Sequence, residues 1–201
     1  MDHRYTSLLR ERVLAERSAV EKRILSALEA TPPRIPVILG TCGSGRTAVL
    51  RRLSEQVELE TEYIDVARVA TTPEDFLSSI TRATHCQLPS LPTGTEATSS
   101  PRTAFDGVCR FLEHARTQGG DNVTFLLDDA VEIRTFENFP GLRGVVRELW
   151  RTVCKSPNRF VLASRFVNRT LRLFRNASER FEFVHLPPLT HAEVTLMLAE
   201  F

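Results

Sequence analysis

One glycine-rich stretch near residue 40 constrains the fold of this chain more than any other part of its sequence. A short apolar run, residues 37–39, leads into a loop that carries Gly40, Gly43 and Gly45, and a segment with helical apolar periodicity follows directly. Glycine permits positive φ and close approach of the backbone to a ligand, and N–H groups at a helix N-terminus bind anions. The stretch therefore predicts a strand, an anion-binding turn and a helix, in that order.

The spacing of these glycines fits the phosphate-loop pattern G-x-x-x-x-G-K-[ST], with Gly40 and Gly45 as its glycines and Thr47 as the hydroxyl that ligates Mg²⁺. Arg46 replaces the lysine of the pattern, and its planar fork keeps the charge that reaches the β- and γ-phosphates. We predict nucleotide binding with slow hydrolysis; the alternative is a plain glycine-rich turn. The predicted nucleotide-binding residues are Gly40, Thr41, Cys42, Gly43, Ser44, Gly45, Arg46, Thr47 and Ala48.

Length, composition and charge are those of an ordinary single-domain globular protein. The chain has 201 residues, of which 42% are hydrophobic and 25% charged, and its net charge is +1. The near-neutral charge indicates neither a nucleic-acid nor a membrane partner, and no apolar run approaches the ~18 residues that a membrane span needs. The cysteines are widely spaced without a C-x-x-C pair, so we expect free thiols, no zinc site and a cytoplasmic location.

Strands and helices alternate along the chain, which predicts an α/β fold with a parallel sheet covered on both faces. We predict an N-terminal amphipathic helix within residues 1–33 that packs on the domain, with a partner-binding helix as the alternative, and a core over residues 34–201. Residues 87–102 are rich in Pro, Ser, Thr and Gly and predict a surface loop, after which we expect a helix from about Thr103 to Gly119.

Polar residues end two of the apolar strands downstream of the glycine loop. Asp128 and Asp129 close one strand, and Ser164 and Arg165 close the next. Ligands of an open parallel sheet bind at the carboxyl ends of its strands, so we expect these residues to meet the loop at one site. Asp128 would hold Mg²⁺ together with Thr47, Asp129 would orient or deprotonate the attacking water, and Arg165 would sense the γ-phosphate. The alternatives are a capped turn for the acids and a surface position for the arginine.

A stretch of arginines spans residues 165–180, with Glu179 as its single acid. One interpretation is a solvated helix face. A second is an arginine finger that reaches the nucleotide of a neighbouring subunit, for which Arg175 and Arg180 are the candidates. A DNA-phosphate patch is a weaker third interpretation, because few aromatic residues are interleaved and the overall charge is near neutral.

Four motifs in this order resemble the nucleotide-binding core of the AAA+ and signal-transduction ATPase (STAND) group. Residues 40–47 resemble Walker A, residues 125–129 resemble Walker B, residues 161–165 resemble the sensor-1 strand, and residues 186–193 resemble the proline turn and helix after the last core strand. The resemblance implies a three-layer α/β/α sandwich with a five-stranded parallel sheet in the order 5-1-4-3-2. It also implies that ATP and Mg²⁺ are the cofactors. The paired aspartates are similar to STAND members, whereas Arg46 departs from both groups.

Family members continue into a helical lid and often a winged-helix domain, so the resemblance implies that this chain stops inside the first helix after the core, without lid or C-terminal domain. We expect a nucleotide-dependent switch. Its ATP hydrolysis would be slow, or would depend on a protein partner or on self-assembly. A catalytically inactive pseudo-ATPase scaffold is the first alternative, and Arg46 favours it. A DNA-loading ATPase of the origin-recognition or transposition-regulator type is the second, with DNA bound through the absent domain.

Overall fold

A computed structural model of the chain describes residues 17–55, 60–87 and 100–198. Its centre is one parallel sheet of five strands, β1 (Ile35–Leu39), β2 (Thr61–Asp65), β3 (Thr124–Asp128), β4 (Arg159–Ser164) and β5 (Phe181–His185). The strand order is β2-β3-β4-β1-β5, which read from the β5 side is 5-1-4-3-2 and confirms the predicted topology.

Helices cover both faces of this sheet. They are α1 (residues 17–29), α2 (Arg46–Ser54), α3 (Val66–Val69), α4 (Pro73–Ala83), α5 (Pro101–His114), a 3-10 helix (Ala130–Asn138), α6 (Val145–Lys155), α7 (Val167–Leu173) and α8 (His191–Leu198). Successive strand side chains point to opposite faces, so Val37 and Leu39 pack with α4, α5 and α6, whereas Ile38 packs with α1 and α2. These two cores make the predicted three-layer α/β/α sandwich.

The N-terminal helix packs on the domain. Ile24 and Leu28 are fully buried with Val49 and Leu50 of α2, because their spacing of four places them on one face of α1. The predicted helix is described from residue 17 onward, and its first residues lie outside the described part of the chain. None of the helices in the described ranges is long and apolar enough to cross a membrane.

Local capping signals set several helix ends. Thr72 accepts a hydrogen bond from the Asp75 N–H at the start of α4, and Thr190 and Glu193 bond reciprocally at the start of α8, as a capping box does. The predicted bounds of α5 are wrong at both ends. Ser100 caps the helix, so Pro101 belongs to its first turn instead of to a loop.

At its other end, α5 stops five residues before Gly119. Ala115 leaves the helical conformation with ψ 142°, and the backbone of Arg116 then pairs with that of Gln87. This pairing between segments 29 residues apart overrides the local helical periodicity. Most of the predicted loop, residues 88–99, lies outside the described residues.

Candidate functional site

The sheet brings the glycine loop and the two polar strand ends predicted from the sequence to one edge. Leu39, the last residue of β1, is level with Ser164 of β4, and the Gly40 N–H donates to the Ser164 carbonyl at 3.3 Å. Strand β3 lies on the other side of β4, so Asp128 ends at the same edge. The glycine loop therefore faces the paired acids across the end of β4.

Glycine is required in this loop at three positions for two different reasons. Gly43 and Gly45 adopt φ of 78° and 83°, and Gly45 is the N-cap of α2. Gly40 instead lies against other groups, because a Cβ there would overlap Ser44 and lie 2.8 Å from the Leu186 carbonyl oxygen. The loop thus curls tightly into the N-terminus of α2, where free N–H groups and the helix dipole favour an anion.

Asp128 is held by three hydrogen-bond donors. The Thr47 hydroxyl donates to its Oδ2 at 2.6 Å, the Tyr63 hydroxyl donates to the same oxygen at 3.1 Å, and the Asp129 N–H donates to Oδ1 at 3.0 Å. Burial, followed by the charge of Asp128, raises the pKa of Tyr63, so the phenol remains a donor at neutral pH. Two oxygens so close together, one hydroxyl and one carboxylate, suit a hard cation such as Mg²⁺.

Asp129 turns out of the strand in a left-handed conformation, with φ 49° and ψ 40°. It is the one non-glycine residue with positive φ in the described part of the chain. This turn lets two successive acids face the same site, which an extended strand would not allow. Such a conformation costs on the order of 1–3 kcal/mol and is typically kept at functional sites.

Two arginines approach the Asp129 carboxylate. The Arg165 N–H donates to Oδ1 at 3.2 Å and its Nη1 lies 3.4 Å from Oδ2, while Arg46 Nη2 lies 3.7 Å from Oδ1. Arg165 also donates from Nη2 to Glu132 at 3.0 Å. Burial raises the pKa of Asp129, and the Arg165 N–H and the two guanidiniums oppose this rise. We call Arg46, Asp129, Arg165 and Glu132 the arginine–acid network.

Arg46 is buried, and its side chain folds back on its own loop. Its Nη1 donates to the Gly40 carbonyl at 2.6 Å, and its Nε has no hydrogen-bond partner among the described residues. The sequence predicted that Arg46 holds phosphates, whereas here it joins the first residue of the loop to the second acid. A nucleotide must therefore draw the guanidinium away from Gly40 or use its remaining N–H groups.

The two finger candidates occupy different surroundings. Arg180 lies beside the first residue of β1, at the opposite edge of the sheet, where its Nε donates to the Pro33 carbonyl at 3.0 Å and its Nη1 donates to the Cys154 carbonyl. Arg175 is exposed, and its side chain makes no ion pair within the described ranges. Only Arg175 thus has a guanidinium that is not already held by its own chain.

The sequence did not predict Tyr63 as a site residue. It predicted that Ser164 approaches the site but not that its backbone, rather than its side chain, contacts the loop. Tyr63 looked like an ordinary strand residue, although the predicted strand order already puts β2 beside β3. Ser164 reaches the loop only through its backbone carbonyl, because its fully buried hydroxyl accepts from Thr170 at 2.8 Å and from the Phe166 N–H at 3.2 Å. No group of His, Cys, Asp and Glu within the described residues is arranged to hold a metal by itself.

Three solved structures share this fold over 92% of the chain. The ORC1 protein of Aeropyrum pernix, solved in complex with DNA, matches with a TM-score of 0.61 and 19% identity. The ORC2 protein of the same organism, solved as ADPNP–ADP complexes, gives 0.56 and 18%, and a Walker-type ATPase of Pyrococcus abyssi gives 0.60 and 15%.

The match covers only part of each of those proteins, namely 48%, 50% and 57% of their lengths. No protein-family model matches the sequence, and no curated protein matches it significantly. Identities below one fifth show a shared fold and leave activity open. The sheet order, the glycine loop between β1 and α2 and these solved structures together show that the chain has the α/β fold of P-loop NTPases.

Proposed function

We propose that this chain is an ATP-binding domain that acts as a nucleotide-dependent switch with slow hydrolysis. The observation that carries the proposal is the contact of 2.6 Å between the Thr47 hydroxyl and the Asp128 carboxylate, directly below a glycine loop of phosphate-binding geometry. The two oxygens and the loop N–H groups supply what an Mg²⁺–triphosphate needs, namely hard oxygen ligands beside a cluster of donors.

Each residue at the site then has a separate role. The loop N–H groups from Gly43 to Thr47 hold the phosphates, and Thr47 and Asp128 hold Mg²⁺, which when bound neutralises charge on the phosphate oxygens. Tyr63 keeps Asp128 oriented through its hydroxyl. Asp129 accepts a proton from the attacking water, which is the role of a general base.

The arginine–acid network supports slow rather than fast turnover. Asp129 is already paired with Arg46 and Arg165, so it must be released before it can take a proton from water. Arg46 must likewise exchange the Gly40 carbonyl for a phosphate oxygen. A partner or a second subunit that rearranges the network would make hydrolysis conditional, as a switch requires.

Calorimetry with ATP and Mg²⁺ tests the binding step. The parent chain should bind in an Mg²⁺-dependent manner, and Asp128→Asn should lose at least about tenfold in affinity, because a charged metal ligand is removed. Asp65→Asn is the matched control: Asp65 also ends a strand, but its carboxylate caps α3 by accepting the Arg68 N–H. A folded parent without detectable binding at saturating ATP would contradict the proposal.

Single-turnover hydrolysis tests the role of Asp129. Asn tolerates the left-handed conformation, so Asp129→Asn should fold, bind ATP and lower turnover by about 10²–10⁴-fold. Turnover at the parent rate would transfer the base role to Glu132, which lies in the same network.

A catalytically inactive scaffold is the second candidate, and one observation favours it. Arg46 and Asp129 are the residues expected to act on phosphate and on water, respectively. Both are buried, and Arg46 Nη2 lies 3.7 Å from Asp129 Oδ1. Binding without turnover in the parent and in Arg46→Lys would favour the scaffold, whereas turnover in either would favour the switch.

A further inference from the structure

Two grooves on the surface of α6 and α7 are lined by arginines. One, of about 790 Å³, begins at Thr41 of the glycine loop, and the other, of about 400 Å³, lies between α6 and the residues that follow α7. They share Arg172 and Leu173, and no acidic residue lines either of them. The six lining arginines are Arg134, Arg147, Arg151, Arg165, Arg169 and Arg172. We call this surface the arginine grooves.

Most of these arginines have no counter-charge among the residues that the structure describes. All six are exposed. Among the described residues, ion pairs are made by Arg165, with Asp129 and Glu132, and by Arg134, with Glu137. Those without an ion pair in the same ranges are Arg147, Arg151, Arg169 and Arg172. Neighbouring unpaired cations repel one another, so the surface is arranged for an anion that comes from outside the chain.

Helix geometry and one aromatic ring position the arginine side chains along the grooves. Arg169 and Arg172 are three residues apart on α7, and Arg147 and Arg151 are four apart on α6, so each pair lies on one helix face. The guanidinium carbons of Arg165 and Arg169 lie 4.9 and 4.7 Å from the centre of the Phe166 ring. This contact limits the freedom of two long side chains before any ligand arrives.

The apolar residues that line the grooves, such as Trp150 and Phe181, are buried or half-buried, whereas the arginines are exposed. Protein–protein interfaces have an apolar core, whereas protein–DNA interfaces are more polar and much more positive. In the described part of the chain, the exposed large hydrophobic residues are Leu171 and Val194, and neither lines a groove. Arginine, rather than lysine, supplies every cation here, and its fork binds phosphate oxygens in pairs.

We propose that the arginine grooves bind the phosphodiester backbone of a nucleic acid. The chain would then carry a second polyanion site beside the ATP site, since Thr41 belongs to both the glycine loop and the larger groove. The near-neutral net charge of +1 does not oppose this assignment, because none of the acids among the described residues lines either groove. Backbone contacts alone carry no sequence information, so we expect binding without base preference.

Fluorescence anisotropy with a short labelled oligonucleotide, as a single strand and as a duplex, tests the proposal over a series of salt concentrations. The full chain should bind at low salt, and Arg169→Ala/Arg172→Ala should weaken binding. The slope of log K against log salt should become shallower by about 1.4 for a single strand or about 1.8 for a duplex, because each lost phosphate contact contributes roughly 0.7 or 0.9. Comparison of the two probes identifies the preferred form.

The matched control is Arg82→Ala/Arg110→Ala, which removes the same charge from exposed positions of α4 and α5 outside the grooves. This control should keep the parent slope. An unchanged slope in the α7 variant, absent binding at low salt, or a poly-glutamate peptide that displaces the oligonucleotide at equal charge would each overturn the proposal. Calorimetry with ATP, run on the same variants, separates this proposal from the nucleotide site: the α7 variant should bind ATP as the parent does.

Discussion

Arg46 differs from a phosphate-loop lysine in the groups that its side chain contacts. Its guanidinium spans from the Gly40 carbonyl to the Asp129 carboxylate, a reach that needs two N–H groups in a fork. A lysine ammonium is a compact point charge on a flexible stem and does not bridge both groups in this way. Arginine in place of lysine at position 46 therefore changes both the contact with phosphate and the freedom of the Asp129 side chain.

Replacing Arg46 by lysine should raise both ATP affinity and turnover. A hydrogen bond from a charged donor is worth about 1.5–3 kcal/mol, so giving up the Gly40 contact reduces the parent's affinity by roughly 10- to 150-fold. Arg46→Lys should recover part of this loss and release Asp129, whereas Arg46→Ala should remove most of the binding. Calorimetry and single-turnover hydrolysis measure the two effects, with Arg51→Lys on the exposed side of α2 as control. If Arg46→Lys hydrolyses no faster than the parent, the arginine is adapted to its site.

At the scale of secondary-structure elements, Arg180 connects three segments at the edge of the sheet opposite the glycine loop. Its guanidinium joins the Cys154 carbonyl in the last turn of α6 to the Pro33 carbonyl just before β1, and its own residue precedes β5. A cation at the C-terminal carbonyls of a helix also interacts favourably with the helix dipole. We therefore expect Arg180 to stabilise the fold.

Arg180→Ala should lower the free energy of unfolding by about 1.5–3 kcal/mol, the range for hydrogen bonds from a charged donor. Chemical denaturation measures the loss, and Arg175→Ala is the control, because Arg175 is exposed and removes the same charge. ATP affinity should be unchanged in Arg180→Ala. Equal stability of the two variants would contradict the structural role and return Arg180 to consideration as an arginine finger.

At the scale of the whole molecule, Glu182 holds the N-terminal helix to the core. Arg23 of α1 donates to one of its carboxylate oxygens at 2.8 Å, and Arg34, just before β1, donates to the other at 3.2 Å. The hydrogen bond from Arg23 lowers the pKa of Glu182, with help from Arg34 and against the effect of burial. A depressed carboxyl pKa stabilises the folded state above the unfolded pKa, and this contribution is lost as the pH falls through the folded pKa.

Glu182→Gln should therefore destabilise the protein by about 1 kcal/mol at neutral pH, since both arginines are more than half exposed. The difference from the parent should stay constant in neutral solution and shrink in acid. Denaturation at a series of pH values measures it, and Glu179→Gln, at an exposed acid, is the control. A difference that grows toward acid pH would have the wrong sign for a lowered pKa.

The sequence by itself determined the elements and the place of the site along the chain. The glycine loop before α2, the acids after β3 and the caps at Thr72 and Thr190 are local signals, because helix starts, tight turns and strand ends depend on neighbouring residues. The order of the strands came from the resemblance of whole motifs in series, and the structure confirms it. The start of α5 could also have been read from Ser100 followed by Pro101.

Only the tertiary structure decided which side chains meet. Tyr63 and Asp128 are 65 residues apart, and the arginine grooves draw cations from α6, α7 and the 3-10 helix, so no local pattern reports either arrangement. Net charge averages over the whole surface, which is why a value of +1 conceals a cationic groove. The contact between Arg46 and Asp129 likewise joins residues that are distant along the chain, and Asp129 makes it from a left-handed turn at the end of β3.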